Sequence, residues 1–149
     1  MKRTLLFVLA LIAAGCGPEG KDMAELAEKS VRIEYVGRTI TTHQYLDIET
    51  FEPYTGPVFE YDRNSCEGKV SMSAFLEDGF FQGEAHWYKC TGEVFIMNTF
   101  DRGIQHGPVE EYLFDGTTRR GSYNREVRCG EWADRGEYRA YDPCPDTEN

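Results

Sequence analysis

Apolar and polar positions alternate with a period of two along most of the chain after residue 30. The segment VRIEYV alternates, and KVSMSAFL and EVFIMNTF are rich in residues that favour β-strands, with glycines or acidic turn residues around them. This pattern is typical of short, half-buried β-strands. No window offers an amphipathic helix of useful length. The pattern therefore predicts an all-β fold.

Glycines recur at a fixed spacing between the predicted strands. The stretches DGFFQGEAHWYKCTGE and RGIQHGPVEEYLFDGT both read G-x3-G-x8-G, and the second copy follows the first by 24 residues. We expect Gly92 and Gly116 to lie in tight hairpin turns that need positive φ, and each G-x3-G pair to lie in the connection between hairpins. The spacing predicts successive antiparallel β-hairpins that form one elongated, twisted sheet.

These units resemble a known repeat family. Units of about 23 residues with G-x3-G, an aromatic residue near the middle and a further glycine resemble MORN repeats, in the variant found in exported bacterial proteins and in proteins labelled antitoxins. The resemblance covers roughly residues 54–141, and Glu52 and Glu126 stand where the outer copies would have glycine. It implies a binding or scaffolding surface without a catalytic motif.

The N-terminal residues predict an export signal. Lys2 and Arg3 precede an apolar stretch from Leu5 to Ala14, which is too short to span a bilayer and suits a secretory signal peptide. The end of this segment, AAGC, resembles the lipobox of bacterial lipoproteins, with alanine where leucine is usual. The resemblance implies cleavage before Cys16 and acylation of that cysteine. The alternative is an ordinary signal peptide cut at another position.

These features divide the chain into four predicted segments. They are a signal peptide over residues 1–15, a lipidated cysteine and tether over 16–30, an N-terminal strand region over 31–53, and hairpin repeats with a C-terminal cap over 54–149. A short helical turn is expected at Met23–Lys29. Because Gly17 stands where a common inner-membrane retention signal has aspartate, the outer membrane is favoured if the cell is Gram-negative.

Five cysteines need an explanation in an exported chain. Lipidation of Cys16 leaves Cys66, Cys90, Cys129 and Cys144 free to pair. Zinc is the competing use, but there is no C-x2-C knuckle. Four cysteines allow three pairings. We favour Cys66–Cys90 and Cys129–Cys144, because Cys66 and Cys90 each lie two residues before a turn glycine in successive repeats.

Charge and motifs limit the possible functions. Removal of residues 1–15 leaves 14 basic and 26 acidic residues, a net charge of −12. That charge argues against binding to nucleic acid and against adhesion of the folded surface to anionic lipid, so the membrane contact is expected through the lipid anchor alone. The chain contains no nucleophile elbow, HExxH motif or phosphate loop. We therefore expect a protein without enzymatic activity, cofactor or metal.

Successive hairpins should place equivalent side chains in rows across the sheet. We expect one row to be buried, namely Val58, Ala85, Val109 and Trp132, and the reverse assignment, with the tyrosine row buried, is the open alternative. A second row is expected to be partly accessible and to provide a binding surface, namely Tyr61, Tyr88 and Tyr112 with His86 beside them. The alternative is that the aromatic residues only stiffen a thin sheet.

Three functions are compatible with these features. The leading hypothesis is a lipid-anchored repeat domain that binds a protein partner at the bacterial envelope. An antitoxin or immunity role is an alternative that rests on the family resemblance alone. A cell-wall glycan-binding module or weak hydrolase is a further alternative, suggested by the aromatic and acidic surface.

Overall fold

The computed structural model describes residues 19–145, so the predicted signal peptide and Cys16 lie outside the described residues. The strands are β1 (Lys21–Asp22), β2 (Leu26–Tyr35), β3 (Arg38–Asp47), β4 (Gly56–Tyr61), β5 (Val70–Glu77), β6 (Phe80–Phe81), β7 (Gly83–Tyr88), β8 (Val94–Asp101), β9 (Ile104–Tyr112), β10 (Thr118–Asn124), β11 (Val127–Asp134) and β12 (Glu137–Ala140). A 3₁₀ helix covers Met23–Glu25. Among residues 19–145, no helix has the length and apolar character needed to cross a membrane.

Ten strands form one open sheet in the order β1-β4-β5-β7-β8-β9-β10-β11-β12, with β6 paired to β5. All neighbours run antiparallel except β1 and β4, which are parallel. The prediction of an all-β fold built from successive antiparallel hairpins is confirmed. Strands β2 and β3 are not part of this sheet, since they pair with each other over their whole length as a separate hairpin.

The turns between hairpins are shorter than the sequence suggested. In the predicted connection DRGIQHG, only Arg102 and Gly103 lie between strands, with φ of 48° and 75°. A two-residue turn with positive φ at both positions matches the twist of the flanking strands and needs no longer loop. Gly92 and Gly116 lie at positive φ, as predicted.

The turns between hairpins lie next to one another in a row at one end of the strands. Gly79 N–H donates to Tyr54 O at 2.8 Å, Gly103 N–H to Phe81 O at 2.8 Å, and Glu126 N–H to Gln105 O at 2.9 Å. The three bonds recur at 24 and 23 residues along the chain. Backbone hydrogen bonds thus hold each unit to the one before it.

The β2–β3 hairpin runs along this row of turns. Tyr45 N–H donates to Gly79 O at 2.7 Å, and Thr42 Oγ1 donates to Gly103 O at 2.8 Å. Near the tip of the hairpin, the Arg125 guanidinium lies 4.4 Å from the centroid of the Tyr35 ring. The hairpin therefore contacts the turn of each successive unit.

The folded domain begins earlier than predicted. The predicted tether over residues 16–30 includes β1, which pairs with β4, and the first residues of β2. Leu26 is 9% exposed and packs with Val58 and Leu76 in the hydrophobic core. The helical turn expected at Met23–Lys29 is limited to Met23–Glu25, because β2 begins to pair with β3 at Leu26.

The predicted buried row is confirmed. Each of its members is at most 9% exposed: Val58, Ala85, Val109 and Trp132. We call the face that carries Val58 and Leu76 the inner face, because Leu26 packs against it. Side chains alternate along a strand, so Phe59, Ser73 and His86, which pair across β4, β5 and β7, lie on the opposite, outer face.

Both predicted disulfides are present. Cys66 and Cys90, with Cα atoms 5.3 Å apart, join the β4–β5 loop to the β7–β8 loop. Asp62 orders the first of these loops by accepting hydrogen bonds from the backbone N–H groups of Asn64 and Cys66, both at 2.8 Å. Cys129 and Cys144, with Cα atoms 4.9 Å apart, hold the segment after β12 against β11.

Candidate functional site

A groove of about 700 Å³ lies between the N-terminal segment and the inner face of the sheet. We call it the aromatic groove. Its large apolar and aromatic lining residues are Met23, Leu26, Tyr45, Tyr61, Met72, Phe81 and Trp87. Concave sites of this size with apolar walls and a few polar groups are the usual form of ligand sites in proteins.

The floor of the aromatic groove is a cross-strand row. Glu60 pairs with Met72, and Met72 pairs with Trp87, so the three side chains lie beside one another on the inner face. Met72 is 4% exposed, whereas Trp87 is half-buried. The row therefore offers a fixed thioether next to an accessible indole.

The N-terminal segment and the hairpin form the opposite wall. Asp22 accepts a hydrogen bond from Ala24 N–H at 3.0 Å, and Glu25 accepts one from Asp22 N–H at 3.3 Å. The two bonds form a capping box at the N-terminus of the 3₁₀ helix. Met23 packs against the core cluster, and the Tyr45 ring meets Phe81 edge-on with centroids 5.4 Å apart. The capped turn and this aromatic pair hold the wall in place.

A salt bridge fastens the start of the domain to the end of β3. Lys21 Nζ donates to Asp47 Oδ2. This hydrogen bond, with those from the N–H groups of Glu49 and Thr50, lowers the pKa of Asp47 to about 2. The same hydrogen bond raises the pKa of Lys21. Both groups remain charged across the physiological pH range, so the wall of the groove stays attached to β3.

Carboxylates surround the mouth of the groove. Asp22, Glu28, Glu60 and Asp62 line it, against one cation, Arg63, which lies 3.4 Å from Asp22. Burial, followed by the charges of Glu28 and Glu60, raises the pKa of Tyr45. The Tyr45 hydroxyl therefore stays protonated beside two carboxylates. A groove with an apolar floor and an acidic rim favours a ligand that carries apolar and positively charged groups.

The residues predicted to bind are not gathered at one site. Tyr61 lines the aromatic groove, but the Tyr88 hydroxyl is 2.7 Å from Ser73 Oγ and Tyr88 lines a separate depression next to Cys90. Tyr112 is 46% exposed, and its hydroxyl donates to Glu110 at 3.2 Å. His86 lies on the outer face, 3.5 Å from Glu84.

Most of the groove residues are not among those that the sequence predicts to bind. Met23 and Leu26 fall in the predicted tether, and Trp87 is not part of the predicted tyrosine row. One signal was available at the N-terminus, because Asp22-Met-Ala-Glu25 has the spacing of a capping box and includes an apolar residue. That spacing indicates ordered structure where the composition alone suggests a linker.

Comparison of the chain with models of known protein families, with curated proteins and with solved structures gives no match in any of the three.

Proposed function

We propose that this chain is a non-enzymatic lipoprotein of the bacterial envelope, anchored through an acylated Cys16, whose aromatic groove binds a segment of a partner protein. The partner segment would carry a basic side chain next to an aromatic or aliphatic one. The export signal and lipobox-like cysteine support the location, and the acidic, aromatic groove supports the partner chemistry.

The observation that carries this proposal is the charge imbalance at the groove. Asp62 accepts hydrogen bonds from backbone amides, Asp22 pairs with Arg63, and Glu28 lies 2.7 Å from His43 Nδ1. Glu60 has no cation within 4 Å among residues 19–145. Glu60 lies directly beside Met72 in the floor row. A lysine or arginine of the partner could pair with this carboxylate while its aliphatic stem covers Met72 and Trp87. Such complementarity favours one class of partner and disfavours acidic ones.

Photocrosslinking from two tyrosine positions tests the proposal in cells. The full-length protein carrying Tyr61→p-benzoylphenylalanine is expected to capture a partner, because position 61 lines the groove. The protein carrying Tyr88→p-benzoylphenylalanine serves as the matched control, since Tyr88 lines a different depression. The crosslinked peptide, identified by mass spectrometry, is expected to contain lysine or arginine within a few residues of an aromatic or aliphatic residue.

Charge reversal gives an independent control for the same experiment. Glu60→Lys places a cation in the groove and is expected to reduce capture from position 61 by about tenfold or more, since like charges across an interface cost several kcal/mol. Glu84→Lys makes the same substitution on the outer face of the sheet. It should leave capture from position 61 unchanged. Equal crosslinking from positions 61 and 88, or capture of mainly acidic peptides, would rule out the groove as the binding site.

The membrane anchor has a separate test. Cys16→Ser is expected to move the protein from the membrane fraction to the soluble extract, because it removes the acyl chains that stably hold a lipoprotein on a bilayer. Intact-mass analysis of the wild-type membrane fraction under non-reducing conditions should show loss of residues 1–15, added acyl mass and two disulfides. A wild-type protein that retains residues 1–15 would contradict the lipoprotein assignment.

A further inference from the structure

A second pocket lies at the far end of the sheet from β1. It has a volume of about 440 Å³. Its lining residues are four arginines, two carboxylates and two aromatic residues: Arg119, Arg128, Arg135, Arg139, Asp134, Glu137, Trp132 and Tyr141. We call it the arginine pocket. It belongs to β10, β11, β12 and the segment that follows, so it shares no residue with the aromatic groove.

The local charge of the arginine pocket differs from that of the rest of the chain, which is acidic. Residues 19–116 carry 8 basic and 19 acidic residues, whereas residues 117–145 carry six basic and five acidic ones. Four of those six basic residues line this one pocket. The local balance is therefore suited to an anion, which the rest of the described surface would repel.

Three of the four arginines already have carboxylate neighbours. Arg119 contacts Glu111 at 3.0 Å and Asp134 at 3.2 Å, so both sides of its guanidinium are occupied. Arg135 lies 4.0 Å from Asp115 and Arg139 lies 3.7 Å from Glu137, but these two arginine side chains are 62% and 70% exposed. Exposed pairs of this kind contribute little stability and exchange readily with solvent or a competing anion.

Arg128 is different because its guanidinium has no carboxylate within 4 Å among residues 19–145. The group lies 4.4 Å from the centroid of the Trp132 indole, and Nη1 donates to the Tyr141 hydroxyl at 3.3 Å. A guanidinium has five N–H donors in a fixed fork, so most of them remain available. Its hydrogen bonds to tyrosine hydroxyl oxygens, Tyr141 first and then Tyr123, raise the pKa of Arg128.

The surface under Arg128 is rigid. Trp132 is 2% exposed, its Nε1–H donates to Ser122 O at 3.1 Å, and Tyr123 and Tyr141 meet it edge-on with centroids 5.1 and 6.4 Å away. A guanidinium stacked on such a surface keeps its orientation. Ligand binding therefore carries little entropic cost for ordering this side chain. A stacked, charged fork without an acidic partner is well suited to two parallel hydrogen bonds to a carboxylate or phosphate.

We propose that the arginine pocket is an oxyanion site, in which Arg128 forms a bidentate pair with a carboxylate or phosphate group and Arg135 and Arg139 contribute charge at the rim. The β1 edge, which follows Cys16 by a few residues, lies eight strand spacings from β12, or about 38 Å at 4.8 Å per strand. This separation favours a soluble oxyanion over a lipid headgroup. The site is independent of the partner proposed for the aromatic groove.

Titration followed by NMR tests the site. The full mature protein in non-ionic detergent, labelled with ¹⁵N, is titrated with acetate and with inorganic phosphate at constant ionic strength. Saturable shifts are expected for the Arg128 Nε–H and the Trp132 indole N–H. Arg128→Lys keeps the charge but removes the fork, and is expected to weaken the apparent affinity at least about fivefold. Arg120→Lys, next to Arg119 on β10 but outside the pocket, should leave it unchanged.

A second variant and a vesicle competition complete the test. If Arg128→Lys unfolds part of the domain, Arg139→Gln changes an exposed side chain and is still expected to weaken binding two- to threefold. Vesicles of phosphatidylglycerol, with phosphatidylcholine as the control, distinguish a lipid phosphate from a soluble anion by competing with inorganic phosphate for the same shifts. Shifts that do not saturate at constant ionic strength, or equal affinities for the wild type and both pocket variants, would overturn the proposal.

Discussion

Replacing Trp132 with alanine is expected to lower the free energy of unfolding by about 3–5 kcal/mol, the usual cost of removing a large buried aromatic side chain. Trp132 is 2% exposed, and it packs against Tyr123 and Tyr141 while its Nε1–H satisfies the Ser122 carbonyl. It is therefore the centre of packing for the C-terminal strands. Urea unfolding under non-reducing conditions, followed by far-UV circular dichroism, measures the change.

A double-mutant cycle separates this packing from a general effect on the strand. Gly121 lies directly against the indole, and a Cβ added there would come within 3.0 Å of three ring carbons. Its φ is not positive, so Gly121→Ala carries no backbone penalty and its cost reports the clash, about 1–3 kcal/mol for overpacking. In the Trp132→Ala background the indole ring is absent, so the Cβ added at position 121 has no ring to clash with.

The double variant should therefore be no less stable than Trp132→Ala alone. Coupling of about 1–3 kcal/mol between the two positions is the expected sign of direct contact. Additive effects would show that the indole does not rest on Gly121, and would remove the rigid surface on which the oxyanion site depends.

The sheet itself could be predicted because its determinants are local. Alternation identified the strands around residues 70–77 and 94–101, and turn glycines such as Gly92 marked where the chain reverses. The disulfide between Cys66 and Cys90 followed from their matching places in successive units. Each of these inferences needs only nearest-neighbour geometry, which a repeating meander copies from one unit to the next.

The packing of the N-terminal segment and the β2–β3 hairpin on the sheet could not be predicted in the same way, because it depends on contacts between residues distant in sequence. Leu26 lies in a short segment of mixed charged and small apolar residues that looks like part of a linker, yet it is buried by Val58 and Leu76, some 30 and 50 residues away. The aromatic groove exists only because this segment docks on the sheet. For the same reason the row of tyrosines is divided, since the N-terminal segment covers the β4 end near Tyr61 and not the region around Tyr112.

Replacing Gly103 with alanine is expected to destabilise the protein by about 3 kcal/mol. Gly103 has a φ of 75°, where an L-residue costs about 1–2 kcal/mol. An added Cβ would also collide with Thr42 Oγ1, the buried hydroxyl that donates to Gly103 O at 2.8 Å. Breaking that hydrogen bond leaves a buried carbonyl or hydroxyl unsatisfied, at about 1–3 kcal/mol.

Gly92 provides the matched control for this prediction. Its φ of 87° is similar, but a Cβ added there meets nothing within 4 Å, so Gly92→Ala should cost only the backbone penalty of about 1–2 kcal/mol. Hydrogen exchange adds spatial detail. Gly103→Ala is expected to accelerate exchange of the β2 and β3 amides more than those of β8 and β9, because the clash pushes the hairpin off the row of turns.

That displacement would also reach the aromatic groove. Tyr45 lies on β3 three residues from Thr42, and its contact with Phe81 forms part of the groove wall. Gly103→Ala should therefore weaken capture of the partner from position 61, although residue 103 does not line the groove. If Gly103→Ala and Gly92→Ala proved equally destabilising, with equal exchange in β3, then docking of the hairpin would contribute no measurable stability, and the groove would lack the fixed wall from which its binding role is argued.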